Sequence, residues 1–138
     1  MKKNILVIAG LAASGLAYAE NLEGVDRMVC AAMDVQICIE YDACYTAAPV
    51  DLGVPEFVII DTDDKTISTT RSSSEKRSTA FNSIQKEDGL IYLQGVEGGR
   101  AFSFVITEET GFLSVGVATE GLALAVFGAC TPKTEGSR

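Results

Sequence analysis

After residue 50 the chain is interrupted by turn-forming clusters at nearly even spacing, and this rhythm constrains its fold more than any other feature. The clusters fall at residues 61–65, 71–76, 86–89, 97–99, 108–111 and 119–121. Between them lie short runs rich in β-branched and aromatic residues: PEFVIID, KTISTTR, RSTAFNSIQ, LIYLQGV, RAFSFVIT, FLSVGVA and LALAVFGA. Short strands with turn signals every ~8–12 residues are the pattern of an all-β sandwich or barrel. Gly89 and Gly111 close two of the turns, supplying the positive φ that tight hairpins need.

Upstream, the odd positions from 29 to 39 read Val29, Ala31, Met33, Val35, Ile37 and Ile39, alternating with Cys30, Ala32, Asp34, Gln36 and Cys38. Period-two alternation marks a half-buried strand. It brings the expected number of strands to eight, each later connection being short enough for a hairpin. Sequence neighbours then pair antiparallel. An eight-stranded antiparallel meander is expected to close into a barrel, since closure removes exposed sheet edges. The alternative is a β-sandwich, with a short N-terminal helix through Leu22, Val25, Val29 and Met33.

The first nineteen residues, MKKNILVIAGLAASGLAYA, have the form of a secretory leader: Lys2 and Lys3, an apolar run over 5–17, and a small-x-small site at Ala17-Tyr18-Ala19. The run is too short to span a bilayer, which needs roughly 20 residues. Cleavage after Ala19 leaves residues 20–138 as a single all-β domain, exported to the periplasm or secreted, with no membrane anchor. In that oxidising setting the four cysteines Cys30, Cys38, Cys44 and Cys130 read as two disulfides. Cys30 near the start of the first strand and Cys130 at the end of the last meet if the barrel closes. Cys38 and Cys44 then clip a short loop, and the other two pairings stay open. Cys30 sits on the more polar face of its strand while Cys130 shares parity with Leu122, Leu124 and Val126, so a bulge is needed, placed at Gly128.

Losing Lys2 and Lys3 leaves 9 basic against 19 acidic residues, a net charge of −10. Such a surface repels nucleic acid and anionic membrane and attracts a basic exported protein. Catalytic machinery is sparse. The chain has no His, hence no Ser-His-Asp or Cys-His unit. No nucleophile elbow, phosphate-binding loop or dinucleotide fingerprint occurs. A non-enzyme is expected, with no cofactor and no metal. Asp61, Asp63 and Asp64 lack the glycine and distal glutamate of a calcium loop and read as a hairpin tip.

Binding is expected at residues 68–79, STTRSSSEKRST, the one locally basic stretch. Arg71, Ser72, Ser73, Ser74, Lys76 and Arg77 form a charge-reversed loop suited to an anionic ligand or a partner's cleft. Arg100, after the Gly98-Gly99 turn, is a further anion contact. An eight-stranded barrel is just wide enough to be filled by side chains or to hold one small ligand. Phe57, Ile59, Phe102, Phe104 and Ile106 favour filling. Lipocalins carry Gly-x-Trp near the first strand, and this chain has no Trp.

The C-terminal half, IYLQGVEGGRAFSFVITEETGFLSVGVATEGLALAVFGACTP, resembles a family of small uncharacterised exported proteins of Gram-negative bacteria, through its QG-x-x-x-GRA-F-S and FGAC segments. The family shares a leader, an early cysteine cluster and a VFGACTP-like ending. The resemblance implies a periplasmic address and disulfides, and no activity. In architecture alone the chain is similar to periplasmic lysozyme inhibitors, with residues 72–76 in the place of their Ser- and Lys-bearing loop. An acidic protein binding a basic lysozyme is electrostatically sound. The expected functions are therefore a non-catalytic binding or envelope-interaction module, an inhibitor of a basic exported enzyme, or a small-ligand carrier with a hollow barrel.

Overall fold

One long strand, β1 (Arg27–Ile39), organises the sheet, because it is long enough to take different partners along its two halves. The computed structural model describes residues 21–134; the leader expected over residues 1–19 lies outside them. The further elements are β2 (Tyr45–Ala47), a 3₁₀ turn (Pro49–Leu52), β3 (Phe57–Asp61), β4 (Thr66–Thr69), β5 (Ser78–Ala80), β6 (Ser83–Glu87), β7 (Leu90–Glu97), β8 (Arg100–Thr107), β9 (Phe112–Thr119) and β10 (Leu122–Pro132). Every recorded pairing is antiparallel, in the order β5-β4-β3-β1-β10-β9-β8-β7-β6, with β2 beside the second half of β1. The fold is thus all-β, a single sheet curled into a half-barrel.

The described residues hold ten strands rather than the expected eight. One addition is β2, in a stretch where the sequence pattern marks no strand. The other arises because RSTAFNSIQ breaks at Phe81 and Asn82. There the chain passes from one edge of the sheet to the other. The Phe81 N–H donates to the Lys65 carbonyl, beside β4, and the Asn82 N–H to the Gln94 carbonyl of β7. The edge strands β5 and β6 share no ladder of their own. The alternative helix does not form. Leu22 and Val25 lie in the lead-in before β1, while Val29 and Met33 are strand residues.

The cysteines pair as Cys30–Cys130 and Cys38–Cys44. Cys30 lies directly opposite Cys130 in the β1–β10 ladder, with a Cα–Cα distance of 4.0 Å. Their parity conflict is resolved by a bulge, but the extra residue is Met33 of β1, where the register slips between Ala32 and Asp34. Before the slip Met28 and Cys30 face the core; after it, Val35 and Ile37 do. The expected face of odd residues therefore holds only for the second half, and Met33 is 65% exposed. Gly128 is the partner that admits the bulge, since a β-carbon there would overlap the Ala31 carbonyl oxygen.

Core packing is uneven along the barrel axis. Antiparallel order gathers the β3–β4, β6–β7 and β8–β9 turns at one end, where Met28, Ile60, Phe81, Ile91, Leu93 and Ile106 are buried. Leu22 stoppers that end at 0% exposure, its N–H bonded to the Glu108 carbonyl at 2.8 Å. Side chains facing inward shrink or turn polar towards the other end: Ile91, Leu93, Gly95, Glu97 along β7, and Leu113, Val115, Val117, Thr119 along β9. Phe57, expected inside, is 44% exposed, because β3 turns Val58 and Ile60 inward instead.

Two disulfides belong to an oxidising, extracellular type of compartment. No helix among the described residues is long and apolar enough to cross a membrane. The two bridges are expected to contribute unequally. Cys30→Ala with Cys130→Ala releases a separation of 100 residues and should cost about 4.7 kcal/mol; Cys38→Ala with Cys44→Ala, a separation of 6, roughly 2.4 kcal/mol. Guanidinium unfolding midpoints of the two double variants check the order.

Candidate functional site

The unfilled end of the half-barrel is a cavity of about 580 Å³. Its walls are apolar side chains from six strands, among them Ile37, Val58, Ile67, Phe102, Val117 and Leu124. Cys30, half of the long disulfide, also faces it. Leu52, the last residue of the 3₁₀ turn, and residues 53–55 ahead of β3 complete one wall. Phe102 and Phe104 stack edge to face, centroids 5.8 Å apart at 73°. Gly95 is the cross-strand partner of Phe102, and the Phe102 ring occupies the space a β-carbon on Gly95 would need. Phe102 and Phe104, expected to fill the interior, thus line a hollow one.

The mouth is polar. Glu75, Arg77, Thr79, Glu97, Arg100 and Thr119 line it. Arg100 opens β8 after Gly98 and Gly99, whose φ values of 56° and 75° form the two-residue hairpin turn. It continues the inward register of Ile106, Phe104 and Phe102, which places it on the cavity side. No carboxylate lies within 4.0 Å of it among the described residues. Arg77 Nη1 lies 4.0 Å from Glu75 Oε2. The Thr79 hydroxyl donates to Glu97.

The basic loop after β4 is folded on itself. Thr69 Oγ1 donates to the Glu75 carbonyl at 2.8 Å and accepts from the Arg77 N–H at 3.0 Å. The Lys76 ammonium bonds the Arg71 carbonyl, and Ser72 exchanges a bond with Thr70 at 3.1 Å. Of the expected binding residues, Arg77 and Arg100 meet at one mouth, though 23 positions apart in the chain. Arg71, Ser72, Ser73, Ser74 and Lys76 do not line the cavity. Sequence reasoning missed Glu75, Thr79, Glu97 and Thr119; the decline in inward side-chain size along β7 and β9 was the available signal.

The aspartate cluster is a hairpin tip. Asp61 closes the β3–β4 ladder opposite Thr66, its Oδ1 accepting the Asp64 N–H at 2.9 Å and its Oδ2 lying 3.0 Å from Arg27 Nε. No family model, curated protein or solved structure matches this chain.

Thr69 is the tie that orders the basic loop. Thr69→Val keeps the side-chain shape and removes both hydroxyl bonds, so trypsin should nick the chain after Arg71, Lys76 or Arg77 several-fold faster than in the unaltered protein. Time-resolved mass spectrometry of the fragments measures this.

Proposed function

We propose that this chain is an exported, non-catalytic binding protein, periplasmic or secreted, whose ligand is a small apolar molecule held in the unfilled half of its barrel. The apolar cavity above a solid, stoppered base carries the reading. A volume of about 580 Å³ lies in the range of small-molecule sites. Interiors elsewhere in proteins pack to crystal-like density, so a hollow this size forfeits contacts that a ligand restores. The leader pattern and the two disulfides support the address. In this reading the half-barrel works as a closed barrel. Its seam is held by the Thr79–Glu97 bond and the corner at Phe81 and Asn82 instead of a β5–β6 ladder.

The neutral fluorophore N-phenylnaphthylamine, which brightens on leaving water, should be taken up at a single site. Val117→Trp, on the cavity wall, should abolish that uptake, while Ala118→Trp, on the outer face, should leave it unchanged. Equal uptake by both variants would sink the reading.

A second reading, inhibition of a basic exported enzyme, is favoured by the pre-ordered loop of residues 70–77 on a chain of net charge −8. Stoichiometric excess over lysozyme should then suppress cell-wall turnover, and Arg71→Ala with Lys76→Ala should relieve it. Undiminished turnover ends this reading.

A further inference from the structure

The mouth of the cavity says more about its ligand than the walls do. Every lining group deeper than the rim is apolar or engaged in a strand ladder, so a ligand's polar part belongs at the rim. Four charged side chains stand there: Glu75, Arg77, Glu97 and Arg100. Of the two acids, Glu97 accepts the Thr79 hydroxyl and Glu75 stands 4.0 Å from Arg77. Neither guanidinium group has a close partner. Arg100 has neither a carboxylate within 4.0 Å nor a side-chain hydrogen bond among the described residues, although it offers five N–H donors. Arg77 holds Glu75 only at 4.0 Å, at the outer limit of an ion pair, with the two side chains 42% and 67% exposed. Such a pair is worth little and is readily exchanged.

We propose that the ligand is a single-tailed amphiphile with an anionic head, its tail in the apolar half-barrel and its carboxylate, sulfate or phosphate head between Arg77 and Arg100. This rests on the cavity being the ligand site. An anion at the rim gains two charge-assisted donors and breaks no good contact. A cationic head would have to take Glu97 from Thr79 while lying beside two guanidinium groups. A neutral head gains neither. The tail runs inward past Phe102 and Phe104 towards Cys30, where the packed base begins. Arg71 and Lys76, in the same loop as Arg77, add positive potential without touching the head.

Three ligands with one tail separate the terms. Dodecanoate, dodecanol and dodecyltrimethylammonium, each below its micelle concentration at neutral pH, are titrated against protein loaded with N-phenylnaphthylamine. Dodecanoate should displace the probe at roughly tenfold lower concentration than dodecanol, and the ammonium should be weakest. Arg77→Ala with Arg100→Ala should bring dodecanoate to the level of dodecanol and leave dodecanol where it was. Added salt should shrink the carboxylate's advantage. Dodecanoate binding no better than dodecanol, or the ammonium binding best, overturns the anionic head while the cavity reading stands. Failure of all three to displace the probe overturns the cavity reading itself.

Discussion

The pairing of β1 with β10 is the constraint on which the rest of the structure depends. These are the longest strands, and they lie side by side at the centre of the sheet, fourth and fifth from its β5 edge, yet they are first and last in sequence. Their ladder is the contact of greatest sequence separation, and ordering it carries the largest loop-closure cost of the fold. Cys30–Cys130 locks it at a directly opposed pair, so the cost falls on the oxidised unfolded chain as much as on the native one. With that ladder in place every other strand adds through a hairpin or a short connection.

The Met33 bulge then decides what the interior contains. Without it, a strict alternation along β1 would carry Cys30 and Val35 to opposite faces, and either the disulfide or the second half of the core would be lost. With it, both halves of β1 face inward, and the strand bends enough to leave β3 after Ala31 and take β2 from Val35 onward. The gap between β2 and β3 is covered by the 3₁₀ turn and residues 52–55, which give the cavity one of its walls. The bulge, the change of partner and the hollow are thus linked.

Much of this was legible in the residues, for identifiable reasons. Turn clusters with glycine and strands of period two are local signals, and the β7–β8, β8–β9 and β9–β10 hairpins follow them closely. Strand order favoured the Cys30–Cys130 and Cys38–Cys44 pairing while leaving the other two open, and the ladder settles it. What escaped was non-local. Which strand carries the bulge depends on Gly128 meeting the Ala31 carbonyl across the ladder. The phase of β3, which leaves Phe57 outside, depends on where β1 has already turned. The hollow depends on inward positions from strands far apart in sequence: Ala32, Val58 and Val117 are unremarkable singly. Arg77 and Arg100 each stood out singly as cationic positions, but their sharing of one mouth required the curl of the sheet.

The chain is acidic, with a net charge of −8, and its cavity mouth bears two weakly engaged arginines. The two facts are compatible because they act over different ranges. At physiological ionic strength the Debye length is about 8 Å, so most of the surface acids contribute little potential at the rim. An approaching anion meets mild long-range repulsion, which slows association, and then close contacts that are not screened in the same way, which slow departure. Net charge and rim charge therefore act over different ranges: the first opposes self-association and the adhesion of anionic surfaces, the second sets the local field at the cavity mouth. Glu75 and Glu97 fit the same division. Held against Arg77 and Thr79, they prevent the empty mouth from being a bare cationic patch on an acidic protein, which would invite the rim of one copy onto the surface of another.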